Sequence, residues 1–183
     1  MPRPSVAIIA VGANIEPEKN ILAALRALQG KVHVAASSTF YRTQPVGRPE
    51  QPKFINGAWR IETTLSALQV KTELLREIEE QLGRRRTQDK FAPRTIDLDL
   101  VLYGALVASN DELSLPHPDL TRAFVYVPAV ELLHEMSHES DGGLPGRMRK
   151  LLPANPPTAE PGERLQAFTK LLRRSLRRRS TCS

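Results

Sequence analysis

Cysteine is almost missing from this 183-residue chain, where Cys182 stands alone. That excludes an intrachain disulfide and a cysteine-built metal cluster, and it fits a reducing compartment. Long hydrophobic runs are missing as well. The apolar stretch from Val6 to Val11 is too short for a secretory h-region or a membrane span, so the expected location is the cytoplasm, with no membrane partner. There is no internal repeat. The phosphate-binding signature G-x-x-x-x-G-K-S/T does not occur, because Gly30-Lys31 runs into Val32 and Gly142-Gly143-Leu144-Pro145-Gly146 reads as a turn. The protein-kinase signature set is absent too, so any phosphoryl chemistry must use another scaffold. Charge of one sign is scarce in the body: residues 1–153 carry 19 Lys+Arg against 18 Asp+Glu, while residues 154–183 carry 7 against 2. The net charge of +6 therefore belongs mostly to the tail, and no nucleic-acid partner is expected for the body.

What is present suits one globular domain with a substantial core, at 40% hydrophobic and 25% charged residues. Ser5 to Val11 reads as a buried strand, closed by Gly12-Ala13-Asn14. Glu18 to Leu28 reads as a helix, with Ile21, Leu22, Leu25 and Leu28 on one stripe and Gly30 as its stop. Val32 to Tyr41 reads as a second strand, Arg42 to Pro52 as a loop and Phe54 to Glu62 as a third strand. Ser66 to Leu82 reads as a second helix, with a capping box at Ser66 and Gln69 and a stop at Gly83. A basic loop from Arg84 to Arg94 leads into a fourth strand, Thr95 to Tyr103. This order is that of an α+β, ferredoxin-like βαββαβ sandwich with C-terminal additions. It predicts an antiparallel sheet with both helices on one face, the other face being free for a ligand beneath the two long loops. Past Gly104, a short strand near Leu106-Val107 and a short helix over 128–133 are expected. The expected division is a domain over 1–153, then a linker and basic tail helix over 154–183.

Apolar and acidic residues alternate strictly in Ile96-Asp97-Leu98-Asp99-Leu100. On a strand that places Asp97 and Asp99 on one face, roughly 6–7 Å apart along the chain, where they can share a hard cation. An outer face that merely happens to be acidic gives the same pattern. The cations just upstream favour a site: Arg84, Arg85, Arg86, Lys90 and Arg94. Carboxylate-held Mg²⁺ beside guanidinium groups suits a nucleotide polyphosphate. At least one of the three consecutive arginines reads more simply as a solvated helix exit.

The segment Ala92-Pro93-Arg94-Thr95-Ile96-Asp97-Leu98-Asp99-Leu100-Val101-Leu102-Tyr103-Gly104 resembles the signature of the 6-hydroxymethyl-7,8-dihydropterin pyrophosphokinase family. Other segments resemble that family in the right order: Val11-Gly12-Ala13-Asn14, Ser38 to Gly47, Gln51 to Asn56, Leu115 to Leu120 and Arg122 to Val125. The resemblance spans about residues 5–152. It implies a transfer of pyrophosphate from ATP to the hydroxymethyl group of the pterin, yielding AMP, with Asp97 and Asp99 holding two Mg²⁺ ions. Arg84 and Arg94 then act with the two acids in catalysis. Glu79, Arg84, Arg86, Lys90, Arg94, His117 and Arg122 attend the nucleotide. Thr43, Pro45, Val46, Phe54, Asn56, Phe91 and Phe124 form the pterin pocket. Flat heteroaromatic rings stack on aromatic faces, and Asn offers both a donor and an acceptor to a ring edge. Phe91 stands where many members carry Trp. The implied partners are small molecules, and the expected form is a monomer.

Two other classes fit parts of the chain. A ferredoxin-like RNA-binding module needs exposed aromatics and a basic sheet face, whereas the most telling strand here is acidic. His134-Glu135-Met136-Ser137-His138 matches the H-E-x-x-H zinc pattern, but Asp141-Gly142-Gly143 and a Pro-rich stretch separate it from Glu160 and Glu163, the available third ligands. From Glu163 to Arg179, Leu165, Phe168, Leu171, Leu172 and Leu176 recur at helical spacing, which reads as a docked or partly disordered terminal helix.

Overall fold

The structure, a computed structural model, describes residues 3–85, 88, 89, 92–139 and 143–177. Its centre is strand β1 (Ser5–Ala13), whose side chains alternate between two apolar layers: Ala7, Ile9, Val11 and Ala13 enter one, Ile8 the other. β1 pairs antiparallel with β4 (Phe54–Thr63) on one side and β5 (Asp97–Tyr103) on the other. Two short strands, β2 (His33–Ser37) and β3 (Tyr41–Thr43), both pair antiparallel with β4. The path β5-β1-β4-β3 is the α+β sheet order that the βαββαβ reading expects.

One face of the sheet packs on α1 (Pro17–Gln29) and on a helix over residues 67–81. That helix runs as α2 (Ala67–Gln69), a π-helical stretch (Val70–Leu75) and α3 (Arg76–Gln81). The Ser66–Gln69 capping box forms, with Gln69 N–H donating to Ser66 Oγ at 3.2 Å and Ser66 N–H to Gln69 Oε1 at 3.0 Å. Helix α6 (Gln166–Arg177) joins this layer through Phe168 and Leu172, so the tail helix is docked on the core.

Three expectations are corrected. The second strand is two strands. Pairing shifts by one residue between Ser37↔Trp59 and Tyr41↔Asn56, and the Ser38 hydroxyl accepts from Ala58 N–H at 2.9 Å at the break. The helix over 128–133 is a 17-residue helix, α4 (Ala123–Glu139), that carries Pro128 in its interior. Pro128 cannot donate to the Phe124 carbonyl, but the apolar face formed by Val125, Ala129, Leu132, Leu133 and Met136 compensates by burial. Consequently the second sheet face is not fully free. α4 and α5 (Leu144–Arg149) cover Ile8, Ala58, Val101 and Leu102, and only the half around Gly12, Asn56, Asp97 and Asp99 stays open.

β6 (Ala108–Ser109) and β7 (Ser114–Leu115) form a small separate hairpin after the exposed Leu106 and Val107. His134 is exposed on α4, the side chain of His138 lies outside the described residues, and among the described residues no group of three acidic, His or Cys side chains could hold a metal.

Docking of α6 makes a direct contrast. Leu172 is fully buried and Leu171 is 47% exposed. Leu172→Ala should cost about 2–5 kcal/mol of unfolding free energy and Leu171→Ala less than about 0.5 kcal/mol, both read by urea denaturation.

Candidate active site

The open half of the sheet is the floor of a cleft of about 640 Å³. Its geometry follows from the pairing register. Gly12 stands opposite Asn56 on one side and Asp97 on the other; Ala10 stands between Ala58 and Asp99. Asp97 and Asp99 therefore share one strand face, as the alternation of the sequence predicts, and both line the cleft. The centre of the floor is made of small residues. A Cβ on Gly12 would come within 2.6 Å of Asn56 Oδ1, so this rung accepts only glycine without displacing Asn56.

Of the expected pterin residues, Thr43, Pro45, Val46, Phe54, Asn56 and Phe124 line the cleft. Asn56 Nδ2 donates to Thr43 Oγ1 at 2.7 Å, which fixes the amide with Oδ1 over Gly12. Arg84, Arg94, Asp97, Asp99, His117 and Arg122 line the same cleft. Arg86, Lys90 and Phe91 lie outside the described residues.

The charged groups are tightly coupled. Arg84 Nη1 donates to both Glu79 Oε1 and Asp97 Oδ1, and Arg94 Nη1 donates to Asp97 Oδ2. Burial works against the Arg84 charge, but Asp97 and Glu79 outweigh it and lift its pKa above the ordinary value. Asp99 has no hydrogen bond or ion pair among the described residues. Burial, then the charges of Asp97 and Glu79, push its carboxyl from 3.8 up to about 7, with Arg84 opposing. Burial also pushes His117 down. Its Nδ1 accepts from Asp119 N–H at 3.2 Å, so the neutral ring carries its proton on Nε2.

Glu79 is placed differently from the expectation that it attends the nucleotide. It is 2% exposed and is not on the wall of the main cleft. Its Oε1 accepts both from Leu98 N–H at 2.8 Å and from Arg84, so this oxygen fixes β5 and the guanidinium together. It also borders a smaller hollow of about 200 Å³ that shares Asp99 and His117 with the cleft.

Sequence reasoning did not single out Gln51, Asp89 or Asp119, which also line the cleft. Asp119 accepts from Arg122 Nε at 2.9 Å, and Asp89 pairs with Arg48 Nη2 at 2.7 Å, joining the two long loops. The Arg48–Asp89 pair depends on two loops meeting in space, whereas Asp119 and Arg122 are only three residues apart and their spacing was open to a local reading. Asn14, at the end of the first strand, ties the same loops to the sheet: its Oδ1 accepts from Arg94 N–H at 2.7 Å and its Nδ2 donates to Pro52 O at 3.4 Å.

The donor set fits a hard divalent cation in part. Two carboxylates share one face, and Asp99 is crowded by negative charge without a counterion of its own. Among the described residues no third acidic, His or Cys side chain completes a metal shell. Oxygens from a ligand and water must supply the rest, which is the way Mg²⁺ sits beside phosphates.

Comparison with known proteins agrees with this geometry. The profile of the 7,8-dihydro-6-hydroxymethylpterin-pyrophosphokinase (HPPK) family matches residues 8–134. The chain belongs to this family. It is 39% identical over 134 residues to the 2-amino-4-hydroxy-6-hydroxymethyldihydropteridine pyrophosphokinase of Haemophilus influenzae, across 71% of this chain and 82% of that one. The identically named protein of Bacillus subtilis is 35% identical over 140 residues, across 74% of this chain and 83% of its own. That of Synechocystis sp. is 38% identical over 130 residues, across 69% and 65%. The HPPK match covers β1 through most of α4, and with them every cleft-lining residue named above.

The raised Asp99 carboxyl has a consequence for the stability of this protein. A folded-state pKa of about 7 against an ordinary 3.8 means that Asp99 favours the fold at low pH. This contribution is lost as pH rises through about 7. In EDTA the melting temperature should fall between about pH 4 and pH 7, and Asp99→Asn should flatten that slope. An unchanged slope in the variant would count against the raised carboxyl.

Proposed function

We propose that the protein transfers the terminal pyrophosphoryl unit of ATP to the hydroxymethyl oxygen of 6-hydroxymethyl-7,8-dihydropterin, in a Mg²⁺-dependent reaction that yields AMP and the pterin diphosphate for folate biosynthesis. The observation that carries this reading is one cleft lined by two chemically distinct sets of residues. Thr43, Phe54, Asn56 and Phe124 suit a flat, hydrogen-bonding ring, while Arg84, Arg94, His117 and Arg122 suit a polyphosphate next to two acids. Asp97 and Asp99 would hold two Mg²⁺ ions together with the ATP phosphates, and the bound metal would screen phosphate charge and polarise the attacking hydroxyl.

The chain's own groups supply alignment and charge, which carry most of phosphoryl-transfer catalysis. Asn56, fixed by Thr43, orients the pterin ring. Arg84 and Arg94 bind phosphate oxygens. Glu79 holds Arg84 from behind, which keeps the guanidinium at the site. His117 donates from Nε2 as a neutral hydrogen-bond donor, because its Nδ1 is occupied by Asp119 N–H. Arg122, 6.0 Å from the centroid of the Phe124 ring, joins the two sets. Arg86, Lys90 and Phe91 complete the nucleotide and pterin contacts from the basic loop. Residues 1–153 form the catalytic domain. The protein works in the cytoplasm on small molecules; no helix among the described residues is long and apolar enough to cross a membrane.

Incubation with Mg²⁺, ATP and the pterin should give AMP and pterin diphosphate in equal amounts, resolved by chromatography. ADP or inorganic phosphate as the main product would overturn the reading. Asp97→Asn and Asp99→Asn should each lower kcat by about a thousandfold, the scale on which loss of a preorganised charge-stabilising group acts. Both should also abolish the rise in melting temperature that Mg²⁺ and a non-hydrolysable ATP analogue produce together. Near-normal turnover in a folded variant would remove the metal role.

A further inference from the structure

The family match ends at residue 134, yet the sheet is finished by residues beyond it. Strand β8 (Glu163–Arg164) pairs antiparallel with β3, setting Tyr41 against Arg164 and Arg42 against Glu163. Phe40 surrenders both backbone groups to the same segment. Its N–H donates to Thr169 Oγ1 at 3.0 Å, and its carbonyl accepts from Leu165 N–H at 2.9 Å. Its ring meets Phe168 edge-on at 5.8 Å. On α6, Arg173 donates from Nε to the Ser37 carbonyl at 3.0 Å and from Nη2 to Glu131 Oε1 at 2.7 Å, and Glu131 in turn accepts from Thr39 N–H at 3.0 Å. Every residue from Ser37 to Arg42 except Ser38 is therefore bonded to this segment or to Glu131, which Arg173 holds.

The decisive contact is at Gly162. Its φ of +122° is a conformation that side-chain-bearing residues rarely adopt. A Cβ there would strike the Arg42 carbonyl oxygen and come within 3.1 Å of Thr43 Cγ2. Thr43 is the residue that accepts from Asn56 at the ring end of the cleft. Main chain at 162 thus packs directly on a wall residue of the site.

We propose that the C-terminal segment 162–173 is a positioning element for the pterin end of the cleft. It acts from Gly162 and Thr169, through β3, on Thr43 and so on Asn56. The segment touches no reacting atom. It removes the freedom of β3, a three-residue strand whose outer edge would otherwise be unpaired, to slide or twist against β4. The proposal rests on the pyrophosphokinase reading of the cleft.

The test is steady-state kinetics of Gly162→Val in the full chain. The pterin KM should rise about tenfold, the worth of one well-placed buried hydrogen bond, with kcat and the ATP KM within about twofold. Thr169→Val, which removes the acceptor for Phe40 N–H and leaves Gly162 in place, should shift the same constant in the same direction and serves if Gly162→Val does not fold. On a Thr43→Val background, Gly162→Val should add almost nothing, because both changes break one chain of contacts. A lowered kcat with unchanged pterin KM would show a merely structural role and overturn the proposal, as would fully additive effects. Hydrogen exchange separates this from a failure of the functional reading. If the wild type makes no AMP, that reading falls, and the brace is decided by amide protection at Tyr41–Thr43. Loss of protection in the variants upholds it, and wild-type protection in both overturns it.

Discussion

Arg84 held between Glu79 and Asp97 is the interaction on which the site depends. Three carboxylates, Glu79, Asp97 and Asp99, converge where α3 meets β5, and burial makes each unneutralised charge costly. One guanidinium shared by two acids answers part of that cost and leaves Asp99 over, with its carboxyl raised to about 7. The imbalance is useful. A fold that neutralised every acid internally would have no affinity for a cation, and one without Arg84 would hold its negative charge too poorly to form. The division of labour follows burial. Glu79 is 2% exposed and bonded to β5 backbone, so it stays with the protein. Asp97 and Asp99 face the cleft, Asp97 with each oxygen bonded to an arginine and Asp99 with no side-chain partner among the described residues.

The sheet turns that charge cluster into a site by keeping its neighbours small. Gly12 and Ala10 lie at the middle of the floor, between Asn56 and Asp97 and between Ala58 and Asp99. A ligand can thus lie close to the backbone with its ring end at β4 and its anionic end at β5. The same strand sends Ala7, Ile9 and Val11 into the opposite layer, where α1, the 67–81 helix and α6 bury them. Period-two alternation on one strand therefore serves stability on one face and chemistry on the other.

Legibility in the sequence followed the range of the interactions. The alternation around Asp97 and Asp99 is local, and it placed both acids on one face. Capping at Ser66–Gln69 is local too, and the box forms. The features that escaped are set by distant contacts. The second strand breaks at Ser38 because its hydroxyl substitutes for a ladder acceptor opposite Ala58. The π-helical stretch at Val70–Leu75 shows no sign in the apolar spacing. Pro128 suggested a helix start, but the burial of Leu132, Leu133 and Met136 against the sheet carries α4 through it. The backbone contact of Glu79 was not legible, because an acidic residue on a helix reads alike whether it faces a nucleotide or a buried backbone N–H. Asp89 escaped because its partner Arg48 arrives from another loop, while the Asp119–Arg122 pair, three residues apart, was within local reach and was overlooked.

The C-terminal segment shows why a short strand at a binding cleft needs support. β3 offers only three residues to β4, too few pairs to fix register strongly, and the loop that follows it carries Pro45 and Val46 into the cleft. Any slip of one residue would turn Thr43 away from Asn56. Pairing the outer edge with β8 doubles the ladder on this strand, and the bonds from Phe40 to Thr169 and Leu165 fix the point at which the chain enters it. Gly162 makes the close approach possible, because a side chain there would force Arg42 and Thr43 outward. Anchorage on a buried helix face, through Phe168 and Leu172, is what makes the brace rigid. A flexible tail making the same hydrogen bonds would lose their benefit to the entropy of ordering it.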